Sequence, residues 1–188
     1  MIRSLILLFT VLAAPLFAQS TFPALLADKP DPKFHDKAIT LGQLAGDWTW
    51  DGTGFAADGK TPVTDKGELQ FHWILDGRAM QDVWKETERS DGDALVLGTT
   101  VRFYDPKTDT WRGTWVDPGN NAMKAITGRR AGDAIVFEGT SSNGTQFRWI
   151  FSEIKSDSFR WHAERLAGGK WEIYEDLRAR RKPARSSS

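Results

Sequence analysis

Arg78, Asp82 and Glu175 fall on strand faces that alternation turns inward, together with Trp73, Trp84, Phe103, Trp149 and Trp161. Charged groups among indoles can do chemistry. A carboxyl whose pKa is raised by burial can serve as a general acid or base. A few polar groups in an aromatic wall can also orient a small apolar ligand. Arg78 and Asp82 lie four residues apart on one strand, about 13 Å at roughly 3.3 Å per residue, so they cannot bond each other. A plainer alternative stays open for each group. Arg78 would point out at a barrel mouth, Asp82 would bond nearby hydroxyls or indoles, and the aromatics would simply fill the interior.

Other chemistries lack their signatures. With no Cys there is no disulfide, thiolate ligand or Cys nucleophile. No His-x-His or Glu-x-x-His spacing is present, which points to no metal site. Gly-x-Ser-x-Gly, phosphate-loop and dinucleotide fingerprints are also absent, so the motifs name no catalytic residue and no cofactor. His72 and His162 fall on outward faces beside Gln81 and Arg160, where neither would reach a haem inside a barrel. The 25 basic and 25 acidic residues balance, which gives no electrostatic footprint for nucleic acid.

The elements that must position these groups are strands. Asp76-Gly77 sits between two alternating runs, the strongest short-range hairpin signal. A two-residue turn there places Leu75 opposite Arg78, Trp73 opposite Met80, Phe71 opposite Asp82 and Leu69 opposite Trp84, all on one face. His72 and Gln81 take the other face. Further strands are expected at 47–55, 94–104, 111–116, 122–130, 134–139, 146–154, 159–165 and 170–180, separated by Gly, Pro, Asp and Asn turns. In the last hairpin, a three-residue loop at 167–169 sets Phe159, Trp161 and Ala163 against Leu177, Glu175 and Ile173, with Arg160 and Asp176 outside. About ten strands at this spacing make an all-β protein, a single antiparallel up-and-down barrel with a short helix before it. Closure also removes exposed sheet edges.

The ends of the chain differ from the middle. Arg3 followed by an apolar run and ending in Ala-rich small residues reads as a signal peptide over residues 1–18. Residues 19–38, rich in Pro, read as an extended lead-in, 39–181 as the barrel, and 182–188 as a disordered basic tail. The expected location is outside the cytoplasm, periplasmic in a Gram-negative bacterium and otherwise secreted, with no stable membrane insertion after cleavage.

Leu41-Gly42-Gln43-Leu44-Ala45-Gly46-Asp47-Trp48 carries a short helix into Gly-x-Trp at the first strand. This resembles the opening of the lipocalins and the wider calycin superfamily. The resemblance implies that Trp48 closes one barrel end under a basic residue near the last strand, for which Arg178 or Arg180 stands. The segment Phe71 to Trp84, with Arg102 to Thr108 and Trp111-Arg112, also resembles a lipocalin-like bacterial family catalogued as a domain of unknown function. That likeness implies a fold and carries no settled activity. The first expectation is therefore a barrel binding a small, largely apolar molecule. A lyase, cyclase or isomerase using Asp82 or Glu175, and a structural envelope module with a filled barrel, are the alternatives.

Overall fold

A computed structural model describes residues 25–56 and 58–183; the expected signal peptide and the residues after 183 lie outside them. A 3₁₀ turn, Pro32–Phe34, leads into helix α1, His35–Gly42. The helix therefore takes in residues expected to be extended. Ten strands follow: β1 (Gly46–Phe55), β2 (Pro62–Ile74), β3 (Ala79–Arg89), β4 (Leu97–Asp105), β5 (Thr110–Asp117), β6 (Ala122–Ala131), β7 (Ala134–Thr140), β8 (Gln146–Ser152), β9 (Ser158–Ala167) and β10 (Lys170–Arg181). Each pairs antiparallel with its chain neighbours, and β1 pairs with β10 to close the barrel. Alternation drives the closure, since β2 buries every second side chain along most of its length.

The β2–β3 ladder has the expected register, with Leu69 opposite Trp84, Phe71 opposite Asp82 and Trp73 opposite Met80. The turn differs. Leu75, Asp76 and Gly77 all have positive φ (52°, 55° and 81°), so the ladder stops at Ile74 and Ala79 and a four-residue turn follows. The lead-in docks there, Asp31 N–H donating to the Gly77 carbonyl at 3.0 Å. Leu75 and Arg78 are consequently not ladder partners. Arg78 is exposed, between Asp31 (3.8 Å) and Asp76 (3.5 Å), which corrects its expected inward position.

Phe103 is also corrected. In β4, Arg102 lies opposite Met80 and Thr100 opposite Asp82, so the even residues face inward and Phe103 faces out under Arg112. An inward Asp82 requires a counter-ion, and Arg102 on the next strand supplies it.

The last hairpin turns on Gly168-Gly169 alone, both at positive φ, and Arg165 rather than Glu164 faces Glu172. A bulge between Ile173 and Glu175 inserts Tyr174 and restores the inward parity of Glu175, Leu177 and Ala179, which face Ala163, Trp161 and Phe159. The expected faces hold beyond the bulge, with partners two residues away.

One barrel end is plugged by Leu41, Leu44, Trp48 and Trp73, all buried. Trp48 Nε1–H donates to the Leu44 carbonyl at 2.8 Å. The cation over its ring is Arg181, 4.0 Å from the centroid, rather than Arg178 or Arg180. Strand parity decides this: Arg181 is the β10 partner of Trp48, whereas Arg178 bonds Glu153 and Arg180 bonds Asp51 on the outer surface. Arg181 also donates to the carbonyls of Ala45 (2.6 Å) and Ser156 (2.6 Å), fixing the helix exit to the barrel rim.

Candidate functional site: an aromatic cavity with a carboxylate cluster

Opposite the plug, the barrel encloses a cavity of about 280 Å³. This is near the small end of ligand pockets, which span roughly 300–1,000 Å³. Its wall is a chain of indoles. Trp84, backed by Trp50 at 4.7 Å, lies 5.1 Å from Trp161, Trp161 lies 6.4 Å from Trp149, and Trp149 meets Trp115 edge-on at 6.0 Å. Inward glycines leave room for these rings. A Cβ on Gly98 would lie 2.3 Å from the Trp115 ring, and one on Gly67 would lie 2.5 Å from Trp50. Tyr174, the bulge residue, accepts a hydrogen bond from Trp149 Nε1 at 3.3 Å. Burial pushes its hydroxyl up to about 12, so it stays a neutral phenol.

The floor is polar. Asp82 and Arg102 are bonded there and almost fully buried. The Arg102 guanidinium lies 5.0 Å from the Phe137 ring and 6.0 Å from Phe71, and its Nε finds no acceptor among the described residues. Thr100 N–H completes the Asp82 carboxylate at 3.3 Å.

Nearer the mouth, Asp65 (β2), Glu86 (β3) and Glu175 (β10) bring carboxylate oxygens within 4.8 Å of one another. Gly52 and Gly54 on β1 make this possible, since a Cβ on Gly52 would lie 2.4 Å from Asp65 Oδ1 and one on Gly54 would lie 3.8 Å from Glu175 Cγ. Arg89 approaches Glu86 at 3.7 Å and Asp65 at 4.0 Å. Glu86 Oε2 accepts the Val96 N–H at 2.8 Å. Burial, reinforced by the charges of Asp65 and Glu86, pushes Glu175 up to about 8. Burial and Glu86 push Asp65 up to about 6, against the pull of Arg89. Lys124 faces the same space, its pKa lowered by burial and partly restored by Glu175 and Asp117.

Of the residues singled out in the sequence, Trp84, Trp149, Trp161, Asp82 and Glu175 line this cavity. Trp73 is inward but belongs to the plugged end, and Arg78 and Phe103 lie outside the barrel. Sequence reasoning missed Asp65, Glu86 and Lys124 and left the facing of Arg102 and Trp115 open; all five also line it. Glu86 shares the parity of Asp82 and Trp84 and was open to discovery by extending the first hairpin. Lys124 and Trp115 are cross-strand partners with no strong turn to register them.

No protein-family model matches the chain, and no curated protein matches it. Among solved structures it is similar to the S-type phycobiliprotein lyase CPES from Guillardia theta, at 8% identity, covering 80% of this chain and 94% of that one, with a TM-score of 0.56. It is also similar to Rv2717c from M. tuberculosis, at 14% identity, covering 82% and 100%, with a TM-score of 0.55. These likenesses show the fold. It is a closed, antiparallel, ten-stranded β-barrel.

Proposed function

We propose that the protein is an exported, lipocalin-like barrel, of the bacterial family its hairpin motif resembles, that binds a small, flat, largely apolar molecule in its interior. The observation that carries this reading is the cavity of about 280 Å³ walled by Trp84, Trp115, Trp149 and Trp161 in a barrel plugged at its other end. Open space beside both Asp82 and Glu175 favours it over a filled structural barrel. Export rests on residues 1–18. The test is native mass spectrometry of protein purified from its own compartment, with titration of 1-methylnaphthalene followed by Trp fluorescence. Saturable quenching, or a co-purifying small molecule, supports the reading. No bound species and no fluorescence response overturns it.

An enzyme using the same cavity is the second reading, favoured by one observation. Glu175 inside the barrel is pushed up to about 8, so at neutral pH it holds a proton that it can donate. A barrel of this fold bears the name of a lyase. Under this reading Glu175→Gln abolishes turnover while substrate affinity is retained, the signature of a lost acid–base group.

A further inference from the structure

We infer that the cavity selects an organic cation, a planar aromatic or amphiphilic molecule whose positive group seats against Asp65, Glu86 and Glu175 while its apolar body lies on the indoles. This deepens the small-molecule reading above and rests on it.

Charge balance is the first argument. On the floor Asp82 and Arg102 neutralise each other. Toward the mouth, four lining carboxylates (Asp65, Glu86, Asp117, Glu175) face two lining cations (Arg89, Lys124), an excess of two acids. Buried charge must be matched by an opposite charge or removed by a proton. Asp65 Oδ1 is buried with no hydrogen-bond partner, and Glu175 makes no hydrogen bond or ion pair among the described residues. The site therefore lacks positive charge. A ligand can supply it.

The walls supply the second argument. Indole faces attract cations, with Trp the strongest. Lys124 already does this, its Nζ lying 5.4 Å from the Phe147 ring centroid and 5.8 Å from that of Trp149. An anion would meet the acidic excess, because the one buried guanidinium on the floor is committed to Asp82. An inorganic ion fits less well than an organic one. It would sit beside the Arg89 guanidinium, one Glu86 oxygen already serves the Val96 N–H, and it would make no use of the indoles.

The charged groups facing Glu175 come from several strands: Asp65 from β2, Glu86 and Arg89 from β3, and Lys124 from β6. β1 contributes Gly52 and Gly54, and β9 places Ala163 opposite, so neither adds a charge there. Below their raised pKa values, about 6 for Asp65 and about 8 for Glu175, protons occupy the place a cation would take. Cation uptake should displace them, so affinity should rise with pH across that interval.

The experiment compares N-methylquinolinium, whose charge is fixed, with its neutral isostere 1-methylnaphthalene, titrated into the intact protein at pH 5, 7 and 9. The expected result is roughly tenfold tighter binding of the cation at pH 9, a preference that shrinks toward pH 5, while neutral binding stays flat. Glu175→Gln should reduce the preference and flatten its pH dependence, with neutral binding kept as the check on folding. Equal binding of the two probes at every pH overturns the cation inference and leaves the small-molecule reading standing. If neither binds, both fail. Displacement of the cation by micromolar Mg²⁺ or Zn²⁺ makes the cluster an inorganic-ion site and also overturns the inference.

Discussion

Asp82 and Arg102 hold each other on the cavity floor, from adjacent strands β3 and β4, with both side chains closed off from solvent. Removing one partner leaves the other as an uncompensated buried charge, whereas removing both leaves none. Asp82→Ala should destabilise by about 3–5 kcal/mol, and Asp82→Leu combined with Arg102→Met should recover most of that loss. Urea denaturation of the single and double variants checks this. A double variant as unstable as the single one would show that the pair is not the cause.

Trp48 and Arg181 close the opposite end. Trp48→Ala should cost about 3–5 kcal/mol, as for other buried large aromatics, and leave probe binding in the surviving folded fraction unchanged. Arg181→Ala should destabilise as well, because it loses its ring contact and its hydrogen bonds to Ala45 and Ser156. Arg178→Ala should do little, since Arg178 pairs with Glu153 at the exposed surface, where solvent screens the pair. Melting curves of the three variants separate the roles.

Stability should depend on pH through Glu175 and Asp65. Burial raises both in the folded state, Glu175 to about 8 and Asp65 to about 6, so between their unfolded and folded values the native protein binds more protons than the unfolded chain. Stability contributed by these protons is fully present below the unfolded values and is lost as pH rises through about 6 and then about 8. Glu175→Gln should be more stable than the parent at pH 9, with the difference shrinking toward pH 5. Denaturation midpoints across that range measure it. A difference independent of pH would sink the assignment.

Gly98 and Trp115 are matched by contact. With the added Cβ 2.3 Å from the indole, Gly98→Ala must displace the ring or the strand. The expected cost is about 1–3 kcal/mol, typical of overpacking, with weaker probe binding and an altered near-ultraviolet dichroism from the Trp115–Trp149 pair. A variant that binds and absorbs like the parent would remove Trp115 from the cavity wall.

The residues alone determine the barrel, because a two-residue period and frequent turn chemistry leave an all-antiparallel chain few other ways to bury its apolar faces. They also place Trp84, Asp82 and Trp161 inside, since one sheet face must be the core and a hairpin carries that parity along the strand. Parity also placed Glu175 inward, but its partners depend on the Tyr174 bulge, which no local signal announces. β4 shows the limit most clearly. On apolar content Val101 and Phe103 are the better inner face, yet Thr100 and Arg102 take it because Asp82, contributed by another strand, needs a cation. The meeting of Asp65, Glu86 and Glu175 likewise belongs to tertiary structure. The hairpin of β2 and β3 supplies Asp65 and Glu86, and the last strand, β10, brings Glu175 to them only on closure, across two glycines on β1 that leave space for the carboxylates. Periodicity tells a side chain which face to take; which groups it then meets is decided by closure of the barrel.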